Sequence, residues 1–176
     1  MKQVIFKIES QKKIAESVMQ MKLSGDTEDI TASGQFVNIK LDGFYLRRPI
    51  SVCDYDEGSL TIIYKTIGEG TSAMSGYEAG RELDVLVGLG NGYDTSKSGD
   101  RPLLIGGGVG VPPMYNLCRK LIAEGKHPSV LLGFNSACDV FYEEEFKALG
   151  ADVTVTTVDG SYGMKGFVTN AMEGRE

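Results

Sequence analysis

The chain has 176 residues, 41% of them hydrophobic, and a formal charge of −6, with a pI near 4.9. That is enough apolar material for one ordinary domain or two small ones. The acidic balance excludes a surface that neutralises nucleic-acid or membrane phosphates with clustered Lys and Arg; the one notable basic pair is Arg47-Arg48. An anionic ligand must then be held locally, by backbone N–H groups and one or two placed cations. The cysteines, Cys53, Cys118 and Cys138, are far apart and show no C-x-x-C spacing, which reads as thiols in a reducing compartment. The N-terminus, MKQVIFKIES, alternates like a strand and lacks the apolar core of a signal peptide, and no apolar run approaches ~20 residues, so a soluble cytoplasmic protein is expected.

The first hundred residues read as β. Val4, Phe6 and Ile8 alternate, as do Met19, Met21 and Leu23, and Val37, Ile39 and Leu41. Further strands are expected over Pro49–Cys53, Leu60–Ile67 and Leu83–Leu89, punctuated by Ser24-Gly25-Asp26, Asp42-Gly43 and Asp56-Glu57-Gly58. Short strands at this spacing, with no long helix between them, predict a small antiparallel barrel or sandwich. Asn91–Arg101 is polar and reads as a linker.

Beyond it the pattern becomes strand, glycine turn, helix. Pro102–Ile105 is an expected strand, Gly106–Gly110 the turn, and Pro112–Glu124 a helix with Met114, Leu117, Leu121 and Ile122 on one face. Ser129–Gly133 is a second strand. Ser136-x-x-Asp139 is a candidate cap for a second helix presenting Tyr142, Phe146 and Leu149, and Val153, Val155 and Thr157 mark a third strand. This alternation predicts a parallel sheet. The divided pattern gives a two-domain α+β chain: a β-domain over residues 1–95 and an α/β domain over 100–176.

Three motifs carry chemistry. In Arg48-Pro49-Ile50-Ser51 the guanidinium offers a donor fork for a phosphate or diphosphate, and Ser51 a hydroxyl; the alternative is an exposed arginine on an edge strand. Gly68-Glu69-Gly70-Thr71-Ser72, after Ile63-Tyr64-Lys65, reads as a phosphate nest or as a hairpin-type turn. In Gly106-Gly107-Gly108-Val109-Gly110-Val111-Pro112 a glycine turn enters a helix, an arrangement that aims N–H groups at a phosphate. Its spacing departs from the dinucleotide fingerprint, because Val111 stands at the last glycine position. His127, the sole histidine, sits in a Gly-Lys-His-Pro turn and is expected at the surface.

Taken in order, Gly34-Gln35-Phe36-Val37, Arg48-Pro49-Ile50-Ser51, Gly70-Thr71 and the glycine turn with Pro112 resemble the ferredoxin–NADP reductase superfamily. Within it, Arg47-Arg48-Pro49-Ile50-Ser51 and the run from Asp159-Gly160-Ser161 to Gly166-Phe167-Val168 look most like the electron-transfer subunits of the NAD-linked dihydroorotate dehydrogenases. The resemblance spans essentially the whole chain. It implies a Greek-key barrel that binds FAD, followed by a Rossmann-like NAD lobe. Arg48, Pro49, Ile50 and Ser51 would lie at the flavin and its diphosphate, Ile63, Tyr64 and Lys65 along the cofactor, and Gly70 and Thr71 on its phosphates. Gly106, Gly107, Gly108, Val109, Gly110 and Pro112 would lie near the nicotinamide end. Asp159 and Gly160 would belong to the nucleotide site, or form an ordinary polar turn.

The resemblance further implies hydride transfer from NADH to the flavin, a cytoplasmic role in pyrimidine biosynthesis, and a heterotetramer with an FMN-containing dihydroorotate dehydrogenase catalytic subunit. No catalytic acid or base is expected. Two departures stand out: Ser33 replaces the usual proline before Gly34, and the family's Cys-Gly-Pro segment and [2Fe-2S] cysteine cluster are missing, so the NAD lobe is expected to be incomplete and the chain a fragment. The alternatives are a flavin subunit of another reductase complex, of transhydrogenase or sulfide-dehydrogenase type, and a non-catalytic flavin-binding fragment.

Overall fold

The computed structural model describes residues 1–172 and divides into two compact units, the first over Met1–Tyr93 and the second beginning at Asp94. The first unit is a closed antiparallel barrel of six strands: β1 (Lys2–Ala15), β2 (Val18–Ser24), β3 (Phe36–Ile39), β4 (Arg48–Asp56), β5 (Ser59–Lys65) and β6 (Glu82–Leu89), in the order β1-β2-β5-β4-β3-β6. Closure leaves no free edge, because β6 pairs with both β1 and β3. Alternation along each strand fills the interior with Val4, Phe6, Ile8, Met21, Leu23, Val37, Ile39, Val52, Leu60, Ile62, Val85 and Val87. β1 runs well past the alternating Val4–Ile8 stretch and stays paired with β2 out to Ala15, with two register irregularities.

One element of this unit departs from expectation. Residues 68–75 form neither a nest nor a hairpin turn but a helix, α1 (Gly68–Ser75). Two glycines in eight residues give it poor intrinsic propensity, so its stability is tertiary. Met74 is fully buried in the barrel core and Gly70 is also buried.

The second unit is a parallel sheet in the order β10-β9-β8-β7, made of β7 (Leu103–Gly107), β8 (Ser129–Phe134), β9 (Asp152–Thr157) and β10 (Met164–Lys165). Helices α2 (Pro112–Ala123) and α3 (Glu143–Ala148) connect the first three strands. Gly106 and Gly107, expected in the turn, complete β7 and pair with Leu132 and Gly133. The expected Ser136 cap is also corrected: Ser136 opens only a short 3₁₀ turn over Ala137–Asp139 and makes no side-chain cap bond. α3 begins later, behind Tyr142, whose φ of 67° is left-handed. Its ring is held among Tyr115, Phe141 and Phe146, all within edge-to-face distance.

The boundary between the two units falls inside the expected linker, between Tyr93 and Asp94. Tyr93 belongs to the barrel unit, with its N–H donating to Ser33 O (2.8 Å) and its ring over Gly34. Thr95 and Ser98 are already tied to the second unit through Lys126, whose Nζ donates to Thr95 O (2.6 Å) and Ser98 Oγ (2.8 Å). Among the described residues, no helix is long and apolar enough to cross a membrane.

Candidate functional site

The two adjacent arginines have different roles. Arg47 makes a two-pronged bond to Asp84 (2.9 and 3.0 Å) and donates to the carbonyls of Asp84 (3.0 Å) and Asn38 (3.3 Å), so it staples β6 to β3. Arg48 has no carboxylate partner among the described residues; it donates to the carbonyls of Leu46 and Arg47 and stacks over Phe44 at 5.2 Å. Its guanidinium lies directly on Gly70: a Cβ there would stand 2.7 Å from Arg48 Cζ. The first turn of α1 therefore meets an unneutralised guanidinium. Helix geometry leaves the N–H groups of that turn without intrahelical acceptors, and no side chain of the N-cap residue, Ile67, caps them. These are the parts of a candidate anion cradle, with exposed Glu69 as the opposing charge in the turn.

Thr71 lies in the same turn, but its hydroxyl is engaged locally. It accepts from Ile67 N–H (2.8 Å) and donates to Ile67 O (2.9 Å). Strand alternation sorts the other expected residues. Ile50 packs against the core with Val52, which puts Pro49 and Ser51 on the outer face of β4. One step beyond the Val52–Ile62 pair, Ile63 follows on the outer face of β5, and Lys65 shares its side. Ile50, Ile63 and Tyr64 of the expected set are packed side chains, and Tyr64 is the most deeply committed. Its ring is 2% exposed inside the core and its phenol donates to Gln11 Oε1 (2.6 Å), with burial holding its pKa well above the usual tyrosine range. The side chain is consumed by packing, so only its backbone can lie along a ligand.

In the second unit the strand ends gather three loops: Gly108–Gly110 after β7, Asn135–Asp139 after β8, and 158–163 after β9. Ligands of open α/β sheets bind outside the carboxyl ends of the strands. The last two loops are bonded to each other, Asp159 N–H to Asn135 O (3.2 Å) and Ala137 N–H to Ser161 Oγ (2.8 Å). The glycine turn departs from a phosphate nest. Pro112 and Pro113 carry no N–H, and those of Val111 and Met114 are spent on Gly108 O (3.1 Å) and Val111 O (3.0 Å). Gly106 is required by packing, since a Cβ would meet Val111 Cα at 2.9 Å and Gly110 O at 3.0 Å. Around Gly110 and Gly108 there is open space, and Val109 is half exposed. Pro112 is buried at the helix start.

Asp159 forms a compact polar turn. Its Oδ1 accepts from the Ser161 N–H (2.9 Å) and hydroxyl (2.6 Å), which hold its pKa below the ordinary aspartate value, and Gly160 has a φ of 74°. The same rim carries Asp139 and Glu143; Glu143 accepts from the Tyr162 hydroxyl (2.7 Å). Lys147 is bonded to Glu143 and Glu144, and the stem of Lys165 lies beside Gly160. His127 is exposed, as expected.

The sequence reading missed Gln35 and Gln11. Gln35 is buried; its Oε1 accepts from the N–H groups of Thr31 (2.8 Å) and Ala32 (3.1 Å), and its Nε2 donates to Gly90 O (3.0 Å). Gln35 stands in phase with the alternation Val37, Ile39 and Leu41, which could have marked it, whereas Gln11 lies in the polar run Glu9-Ser10-Gln11-Lys12-Lys13, where nothing marks it. A [2Fe-2S] centre needs a converging set of thiolates. Cys53 and Cys118 are buried, the latter with its thiol pushed up to about 11 by burial, and Cys138 is exposed. Among the described residues no three His, Cys, Asp or Glu side chains converge as a metal site, so these residues do not fit the cluster.

Residues 104–175 match the family described as the oxidoreductase NAD-binding domain. The chain is 46% identical over 181 residues to the dihydroorotate dehydrogenase B (NAD(+)) electron transfer subunit of Bacillus pumilus, covering 98% of this chain and 70% of that protein. It is 44% identical to the corresponding subunit of Fusobacterium nucleatum, covering 94% and 67%. Among solved structures, it resembles the NADH-dependent reduced ferredoxin–NADP oxidoreductase at 32% identity with a TM-score of 0.84, spanning 96% of this chain but only 62% of that one. The ferredoxin reductase of carbazole 1,9a-dioxygenase shares the fold (TM-score 0.86, 18% identity, 99% of this chain and 57% of that one). On these likenesses, a closed antiparallel barrel followed by a parallel sheet and helices is the ferredoxin-reductase-like architecture, and the chain belongs to the family of dihydroorotate dehydrogenase B electron transfer subunits.

Proposed function

We propose that the chain is the FAD- and NAD(H)-binding part of an electron-transfer subunit that exchanges electrons between NAD(H) and a dihydroorotate dehydrogenase catalytic subunit in pyrimidine biosynthesis. The observation that carries this reading is Arg48, a guanidinium without a carboxylate partner among the described residues, seated on Gly70 in the uncapped first turn of α1. Two donor types converge where a diphosphate would lie. When bound, FAD accepts a hydride and releases electrons singly. The chain's own residues hold and orient it. Arg48 and the free N–H groups at the start of α1, that of Gly70 among them, take the diphosphate, with Thr71 closing the turn through Ile67. Pro49, Ser51 and Lys65 offer the outer β4–β5 surface to the rest of the cofactor, and Ile50, Ile63 and Tyr64, whose side chains are packed, lend only their backbone.

NAD(H) belongs at the carboxyl ends of β7, β8 and β9, with Gly106–Gly110 and Pro112 at the nicotinamide end. The lack of N–H groups at Pro112 and Pro113 supports an aromatic ring rather than a phosphate there. Asp159-Gly160 and Asp139 on the rim suit a ribose with free hydroxyls, which favours NADH over NADPH. A heterotetramer with the FMN-containing subunit, in the cytoplasm, completes the reading. The likeness to the NADH-dependent ferredoxin–NADP oxidoreductase supports a second reading, a flavin subunit of a transhydrogenase-type complex. Co-purification decides between them, since only the first retains a dihydroorotate dehydrogenase subunit.

The test is titration of apoprotein with FAD, followed by dye reduction with NADH or NADPH. FAD binds the wild-type chain, Arg48→Ala raises its Kd about tenfold to a hundredfold, the loss of one charge-assisted anion contact, and NADH outperforms NADPH. A wild-type chain that takes up no FAD overturns the reading.

A further inference from the structure

α1 cannot hold its own position. An eight-residue helix with two glycines is far below the length at which helices persist alone. Its C-terminal end is closed only by two tight backbone bonds, Gly76 N–H to Ala73 O and Tyr77 N–H to Met74 O (both 3.1 Å); Gly76 has a φ of −89° rather than a left-handed one, and the last turn carries no basic residue. Gln11, on β1, fills that role from outside. Its Nε2 donates to the carbonyls of Met74 (3.2 Å), Ser75 (2.9 Å) and Tyr77 (3.0 Å), at and just beyond the helix end. Those carbonyls can only accept, which fixes the Nε2 end of the amide toward the helix, and its Oε1 accepts from the Tyr64 hydroxyl (2.6 Å) on the other side.

We propose that Gln11 is a positioning residue for the anion cradle of Arg48, Gly70 and Thr71, with Tyr64 as its orienting partner. The inference rests on reading that cradle as the FAD diphosphate site. α1 is only about 12 Å long at 1.5 Å per residue, so freedom at the clamped end reaches the first turn directly. Gly70 sits against Arg48 with no room for a methyl group, and a tilt of the helix either separates the two donors or drives them together. Tyr64 thereby contributes to the site through its buried hydroxyl, although its ring faces away from the outer β4–β5 surface.

The experiment measures FAD Kd by flavin fluorescence, and apoprotein Tm, on the full chain for wild type, Gln11→Leu, Tyr64→Phe, Arg48→Ala and Val85→Ala. Val85 lies in the barrel core on β6, so its truncation lowers stability without touching the clamp. We expect Gln11→Leu to raise the FAD Kd roughly tenfold, the equivalent of one or two lost hydrogen bonds. Tyr64→Phe should raise it less, because the three carbonyl contacts persist. Val85→Ala should lower Tm comparably and leave Kd unchanged. The inference is overturned by wild-type affinity in Gln11→Leu, or by an equal loss in Val85→Ala. Should Gln11→Leu fail to fold, Tyr64→Phe at wild-type affinity overturns it instead. A wild-type chain that does not bind FAD removes the underlying reading, whereas intact FAD binding that responds to Arg48 but not to Gln11 removes the positioning role alone.

Discussion

Arg47 and Arg48 show how little a residue's type says about its task. Both stand at the start of β4 or one step before it, yet Arg47 is committed to Asp84 by two bonds with both side chains about four-fifths buried. Arg48 is bonded only to carbonyls of its own loop. Removing Arg47 leaves the Asp84 carboxylate without its guanidinium and takes one donor from each of two backbone carbonyls, those of Asp84 and Asn38. Arg47→Ala should therefore cost about 2 kcal/mol of stability. Arg48→Ala opens space over Gly70 and breaks no ion pair, so its cost should be within about 0.5 kcal/mol. Urea denaturation of the two apoproteins checks this, and equal midpoints would contradict the division of labour. The sequence singled out Arg48 by its motif but left Arg47 without a task, because the partner that commits it, Asp84, is 37 positions away.

At the scale of elements, strands were legible where one face is core and the other is wet. The alternating runs Val4–Ile8, Met19–Leu23 and Val37–Ile39 are strands with their apolar faces inward. The helix read as a nest or turn, α1, and the helix whose start was misplaced, α3, are those made by tertiary contacts. α1 is held by Met74 and Gln11 against the propensity of its own residues. α3 starts at a left-handed Tyr142 that only an aromatic cluster explains, and no local pattern announces that cluster. The glycine turn was recognised, but its glycines are of two kinds. Gly106→Ala pushes a methyl into the Val111 and Gly110 backbone, an overpacking cost of about 1–3 kcal/mol. Gly110→Ala meets no atom within 4 Å and adopts no positive φ, so it should fold as the wild type does. If the nicotinamide end of NADH approaches there, Gly110→Ala raises the KM for NADH about tenfold with Tm unchanged. An unaltered KM would leave this glycine without a ligand role.

For the whole molecule, the division between Tyr93 and Asp94 gives each unit its own core and its own candidate ligand. The barrel closes on itself, and its candidate cradle uses β4 and α1 alone. The second unit builds its rim from three loops that bond within that unit. Each ligand should therefore protect amides in one unit only. Hydrogen exchange on the apoprotein tests this assignment. FAD is expected to slow exchange over residues 46–75, including the first turn of α1, and NAD+ over 106–114, 135–139 and 158–163. At 100 times its Kd, a ligand stabilises the state it binds by about 2.7 kcal/mol, a roughly hundredfold slowing for amides that exchange through opening of that unit. NAD+ protection confined to the barrel, or FAD protection confined to residues after Asp94, would reverse the assignment of cofactors to units. Protection by FAD that spares residues 68–71 would separate the barrel's role from the Arg48 cradle, and would move the diphosphate elsewhere on the β4–β5 surface.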